Sequence, residues 1–158
     1  MSSIGQSIVA GLKSGFIYFL IASIVNVLII YIFIGEIAFA YGILITSSKA
    51  SLLFTVLIIR QVFDIFLLGI IFGIVYSILL AKYFDILPRN TLNGKIKFLV
   101  IAYWLVFFVI ITADELGIAG MYSMIFYFVS YVVANFLLAL LFGNLLKKYN
   151  SRYLNQSA

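Results

Sequence analysis

Glu36, Arg60, Asp64, Asp114 and Glu115 are the side chains of this 158-residue chain best placed to do chemistry, because each stands where a long apolar stretch begins or ends. Acids at the ends of three membrane segments can converge on a cation, a proton or a basic partner. Arg60 and Asp64 are four residues apart and can pair on one helix. Counting back from Lys82 puts Asp64 roughly 27 Å away, near the outer edge of the hydrocarbon. Charge is cheap at that edge, so these residues also read as boundary markers with one structural ion pair.

Asn26 and Asn135 form a second constellation. They lie thirteen and twelve residues from Lys13 and Lys147, which places both about 18–20 Å from the same boundary. An amide in lipid needs a partner, so the two either clasp each other or belong to a polar path. Ser123, Tyr127, Ser130, Tyr131 and Ala134 lead to Asn135 at spacings of three and four, on one broad helix face. Such a face lines a cavity for a quinone, a lipid or a small amphipathic solute, or it is ordinary packing material.

A third pattern is Gly69, Gly73, Ser77 and Ala81, at strict spacing of four. Side chains at that interval stack on one side of a helix and leave a groove that a second helix can approach closely. The groove serves either internal helix packing or an oligomer seam.

The absences are as informative. There is no cysteine and no histidine, which excludes disulfides, thiolate chemistry and imidazole ligands. The chain has no phosphate-binding glycine loop and no serine or cysteine with a histidine base. Counted from Lys82, no carboxylate lies at mid-depth to form an aspartyl dyad or a buried proton relay. The expectation is a protein that is not an enzyme and holds no cofactor and no metal.

The elements that carry these residues follow from composition. Apolar residues make up 66% of the chain and charged residues 9%, against about 25% charged in a soluble domain. Mean hydropathy is +1.26. Four apolar stretches, at about 14–34, 60–81, 97–113 and 121–146, approach or exceed the roughly 20 residues a membrane-spanning helix needs. The predicted fold is an all-α integral membrane protein, a single four-span domain over residues 1–158. Residues 36–59 are apolar too, but Thr46, Ser47, Ser48, Lys49 and Ser51 interrupt them, and a lysine at a helix centre costs about 2.5–3.5 kcal/mol. They read as an outer-surface or re-entrant hairpin between the first and second spans, its second arm running into the second span. Ile4, Ile8 and Leu12 suggest a short surface helix or an extension of the first span. Pro88 closes the turn between the second and third spans, with Asn90 or Thr91 able to cap the next helix.

Four spans put both termini and the loop at 82–97 on one side. That side holds eight of the ten basic residues, Lys13, Lys82, Arg89, Lys95, Lys97, Lys147, Lys148 and Arg152, with Asp85 as its one acid. The positive-inside rule then makes both termini cytoplasmic in a cell membrane. Bases scattered over membrane loops suit anionic lipid head groups and argue for no nucleic acid. The expected partners are membrane lipids and either a second protein or a further copy of the chain. The expected role is an accessory or assembly subunit of a membrane complex. A small oligomeric transporter or channel with a path near Asn26 and Asn135 is one alternative, and a lipid- or quinone-binding module another.

Overall fold

A run of apolar side chains in hydrocarbon leaves every backbone amide without water, and only a helix satisfies them all within one segment. The computed structural model describes residues 3–42, 48–115 and 125–154, the last turns at 110–115 and 151–154 as backbone only. Its helices are α1 (Ser3–Ile32), α2 (Ile34–Ala40), α3 (Ser48–Lys82), α4 (Leu92–Glu115) and α5 (Ile125–Leu154). Four of them, α1, α3, α4 and α5, are long and apolar enough to cross a membrane. The chain is a multi-pass helical membrane protein. No strand occurs among the described residues.

The four helices form an up-and-down bundle. Gly11 faces Gly73 and Gly15 faces Gly69, so α1 and α3 run antiparallel. Tyr18 meets Phe142 and Asn26 meets Asn135, which sets α5 antiparallel to α1 as well. Trp104 against Phe136 and Phe108 against Phe128 fix α4 antiparallel to α5. Tyr18, Tyr103, Phe107, Phe142 and Leu146 are buried where these helices meet. Leu20, Ile24, Val75, Ile101, Val109, Val133 and Leu137 point outward instead. In water that surface would drive aggregation; against lipid tails it costs nothing.

The stretch at 36–59 divides into two parts. Phe33 leaves helical geometry, yet its amide still bonds the Ile29 carbonyl and its carbonyl accepts from Ile37. α2 is therefore a kinked continuation of α1, with Ile37 and Ala38 buried. Gly42 then turns the chain at φ +63°, a conformation open to glycine because it lacks Cβ. The second arm is the start of α3, continuous with the span as the sequence pattern suggests. The tip at 43–47, with Thr46 and Ser47, lies outside the described residues. Residues 3–13 lengthen α1 and form no separate surface helix. The third helix starts at Leu92, so Lys95 and Lys97 stand within it rather than before it.

The turn from α3 to α4 is held by one buried cation. A 3₁₀ turn at Phe84–Ile86 leads to Leu87, extended as a residue before proline must be. Lys95 is buried, and its Nζ donates to the carbonyls of Phe84 and, at 3.1 Å, of Leu87 while lying over the Phe84 ring. Thr91 Oγ1 accepts from the Gly94 amide and so caps α4. Lys95→Met is expected to release this turn without unfolding the bundle. Limited proteolysis should then cut near Arg89 well before it cuts the wild type, and equal cutting rates would count against the staple.

Candidate functional site

An apolar bundle must satisfy the polar side chains it buries from within. Asn26 of α1, Gln61 of α3 and Asn135 of α5 are 1%, 4% and 3% exposed. Asn135 Nδ2 donates to Asn26 Oδ1 at 3.1 Å, and Asn26 Nδ2 donates back to Asn135 Oδ1 at 3.3 Å. Gln61 Nε2 donates to the same Asn26 oxygen at 3.2 Å. Asn26 and Asn135 each also donate to a carbonyl one turn back, Ala22 and Tyr131. The cluster ties three helices at one level with Asn26 as its hub. Gln61 carries no signal in the sequence of its own: it stands beside Arg60 but about 100° round the helix, facing inward.

The Gln61–Asn26 bond also sets the neighbouring Arg60 near the level of the amide cluster. The pair sits on the outward face of α3, Arg60 Nε to Asp64 Oδ2 at 4.0 Å, with side chains 42% and 36% exposed. On α3 the exposed large apolar residues run from Leu52 through Val56, Ile59, Phe63 and Ile71 to Val75. Twenty-three residue steps along the helix cover roughly 35 Å, close to the full hydrocarbon thickness. Arg60 and Asp64 therefore stand midway along this exposed apolar stretch of α3, whereas the count from Lys82 sets Asp64 toward its outer end. The two counts differ because α3 continues past Val75 before Lys82, while its first turns extend the exposed apolar stretch at the other end. Along that stretch a carboxylate stands beside an arginine.

The other members of the charged set are used separately. Glu36 Oε2 accepts the backbone N–H of Tyr127 at 3.0 Å, where a carboxylate complements the positive end of α5. The side chains of Asp114 and Glu115 lie outside the described residues. Among the described residues no three acids gather into a cation site.

The small-residue groove of α3 is filled by α1 of the same chain. A Cβ added at Gly73 would stand 2.5 Å from the Gly11 carbonyl oxygen and 3.2 Å from the Gly15 Cα. Gly11 and Gly15 are the matching pair on α1, and the sequence reading passed over them. Ser77 is buried and accepts from Asn150 Nδ2 at 3.0 Å, tying α3 to α5. Ala81 lies at the open end of the groove. Within one chain, α1 thus covers the Gly69 and Gly73 part of this groove.

Of the aromatic stripe on α5, Tyr127 and Tyr131 are buried; Tyr127 meets Phe33 edge-on and Tyr131 stacks on Phe107. Ser130 is half-buried, and Ser123 lies outside the described residues. A further polar contact joins α1 to α4, where the Tyr103 hydroxyl donates to the Tyr18 hydroxyl at 3.0 Å inside the aromatic core. Comparison with protein-family models, with curated proteins and with solved structures finds no match for the chain.

Proposed function

We propose that this protein is an accessory or assembly subunit of a membrane complex, seated in a cell membrane with both termini cytoplasmic, and not an enzyme. The Arg60–Asp64 pair, half-exposed midway along the apolar stretch of α3, carries this reading. Ionisable residues at that depth almost always face a protein interior or a water-filled cavity. Here the face is outward, so a second protein surface is the covering that suits it. The pair gives that surface a charged patch flanked by Ile59 and Phe63. The distribution of basic residues supports the orientation.

The competing transporter or channel needs a polar path, and the amides that would line it are turned onto one another. A direct test is purification from native membranes in mild detergent, with mass spectrometry of what stays bound. The wild type should carry a stoichiometric partner, and Arg60→Leu/Asp64→Leu should lose it while remaining folded. Either single substitution should insert worse than the double by about 2.5–3.5 kcal/mol, because it leaves one charge uncompensated in lipid. A double variant that keeps its partner would remove the basis of the proposal.

A further inference from the structure

The inner end of α4 carries two adjoining concavities that meet at Lys97 and Ile101. The first, about 540 Å³, is basic at its rim, where Arg89, Asn90, Thr91, Asn93 and Lys97 line it, and apolar toward Phe98 and Ile101. The second, about 360 Å³, is an apolar furrow between α4 and α5, lined by Val100, Phe136, Leu140 and Gly143 with Asn144 at its margin. We infer that the two together bind one anionic phospholipid, its phosphate between Arg89 and Lys97 and an acyl chain lying in the α4–α5 furrow.

Charge and shape both select this occupant. No acidic residue lines either concavity, and the two bases with neighbouring amides suit a phosphodiester. Lys95 takes no part, since its ammonium is turned inward onto the α3–α4 turn. Thr91 already occupies the Gly94 amide, so the head group is held by side chains rather than by the helix end. The stem of Arg89 lies on Gly94, where a Cβ would come within 2.8 Å of the Arg89 Cβ. Arg89 itself has φ +85°, a left-handed backbone that disfavours arginine. The furrow exists because Gly143 lets Val100 approach α5, and Ile101 and Leu140 form its exposed walls. Basic pockets beside spanning helices on the inner side are suited to anionic head groups.

The inference stands apart from the proposed subunit role and is tested separately. The purified chain is mixed in detergent with equimolar phosphatidylglycerol and phosphatidylcholine of the same acyl chains, and bound lipid is counted by native mass spectrometry. The wild type should prefer phosphatidylglycerol by roughly tenfold. Arg89→Asn/Lys97→Gln should erase that preference; asparagine is chosen because it tolerates the positive φ. Leu140→Trp, which fills the furrow, should lower the binding of both lipids. Lys13→Gln/Lys148→Gln removes the same charge elsewhere and should leave the preference intact. The inference is overturned if the wild type shows no preference, if the Lys13/Lys148 variant loses as much, or if Leu140→Trp binds lipid normally.

Discussion

Gly73→Leu should leave no stable bundle. The added Cβ alone would sit 2.5 Å from the Gly11 carbonyl oxygen and 3.2 Å from the Gly15 amide nitrogen. Those neighbours are backbone atoms, so no rotamer change relieves the contact. α1 and α3 must separate, and separation breaks more than the local seam. Tyr18 packs beside Gly69 one turn away, and the Gln61–Asn26 bond spans the same interface. Overpacking a tight core costs about 1–3 kcal/mol when side chains can yield. Here they cannot, and the expected loss is at or above that upper figure. Gly73→Ala should fall between wild type and leucine, since the clash begins at Cβ. Unfolding in a rising fraction of sodium dodecyl sulfate, followed by the fluorescence of Trp104, measures the order directly. Val75→Leu, on the exposed face of the same helix, should unfold as wild type does. A Gly73→Leu protein that unfolds with the wild type would mean that the α1–α3 seam is not formed by these glycines.

The same glycines show what the sequence could and could not tell. A spacing of four among small residues marks a close helix approach, because the interval repeats on one face whatever the partner is. It does not say which helix arrives. The partner is Gly11 and Gly15, at the same interval, straddling the boundary between the first span and the stretch of Ile4, Ile8 and Leu12 before it. Asn26 and Asn135 were legible for a related reason: rise per residue converts distance from a basic boundary into depth, and equal depth permits contact. For Arg60 and Asp64 the same method depends on whether Lys82 or Val75 is taken as the end of the apolar stretch of α3. Gln61 was hidden by its charged neighbour, since a helix turns adjacent residues to different faces and a linear reading groups them together. The four helices themselves were the easiest part. Hydrocarbon leaves the backbone one solution per span, so length and apolarity suffice. The basic cleft at Arg89 and Lys97 depends on a positive φ and a helix cap, which no periodicity announces.

Asn26→Leu should destabilise the bundle more than replacing the whole amide cluster. Asn26 is the hub: its oxygen accepts from both Gln61 and Asn135, and its amide donates to Asn135. Leucine in its place strands Gln61 Nε2 and Asn135 Oδ1 among apolar side chains. Asn135 keeps one bond, to the Tyr131 carbonyl, so its loss is partial. A buried polar group left without a partner costs about 1–3 kcal/mol. An interhelical polar bond between membrane helices contributes only about 0.6 kcal/mol on average. The penalty for the stranded groups therefore exceeds what the cluster adds when complete. It follows that Asn26→Leu/Gln61→Leu/Asn135→Leu, which removes every stranded group, should regain most of the stability lost in the single variant. The readout is again unfolding in sodium dodecyl sulfate, compared across the three singles, the pairs and the triple. A triple variant less stable than any single one would make the amides independent contributors and would break the hub. If instead the order holds, the amides are a clasp whose members matter to one another. Any activity lost in the single variant but restored in the triple then belongs to folding, not to a polar path through the membrane.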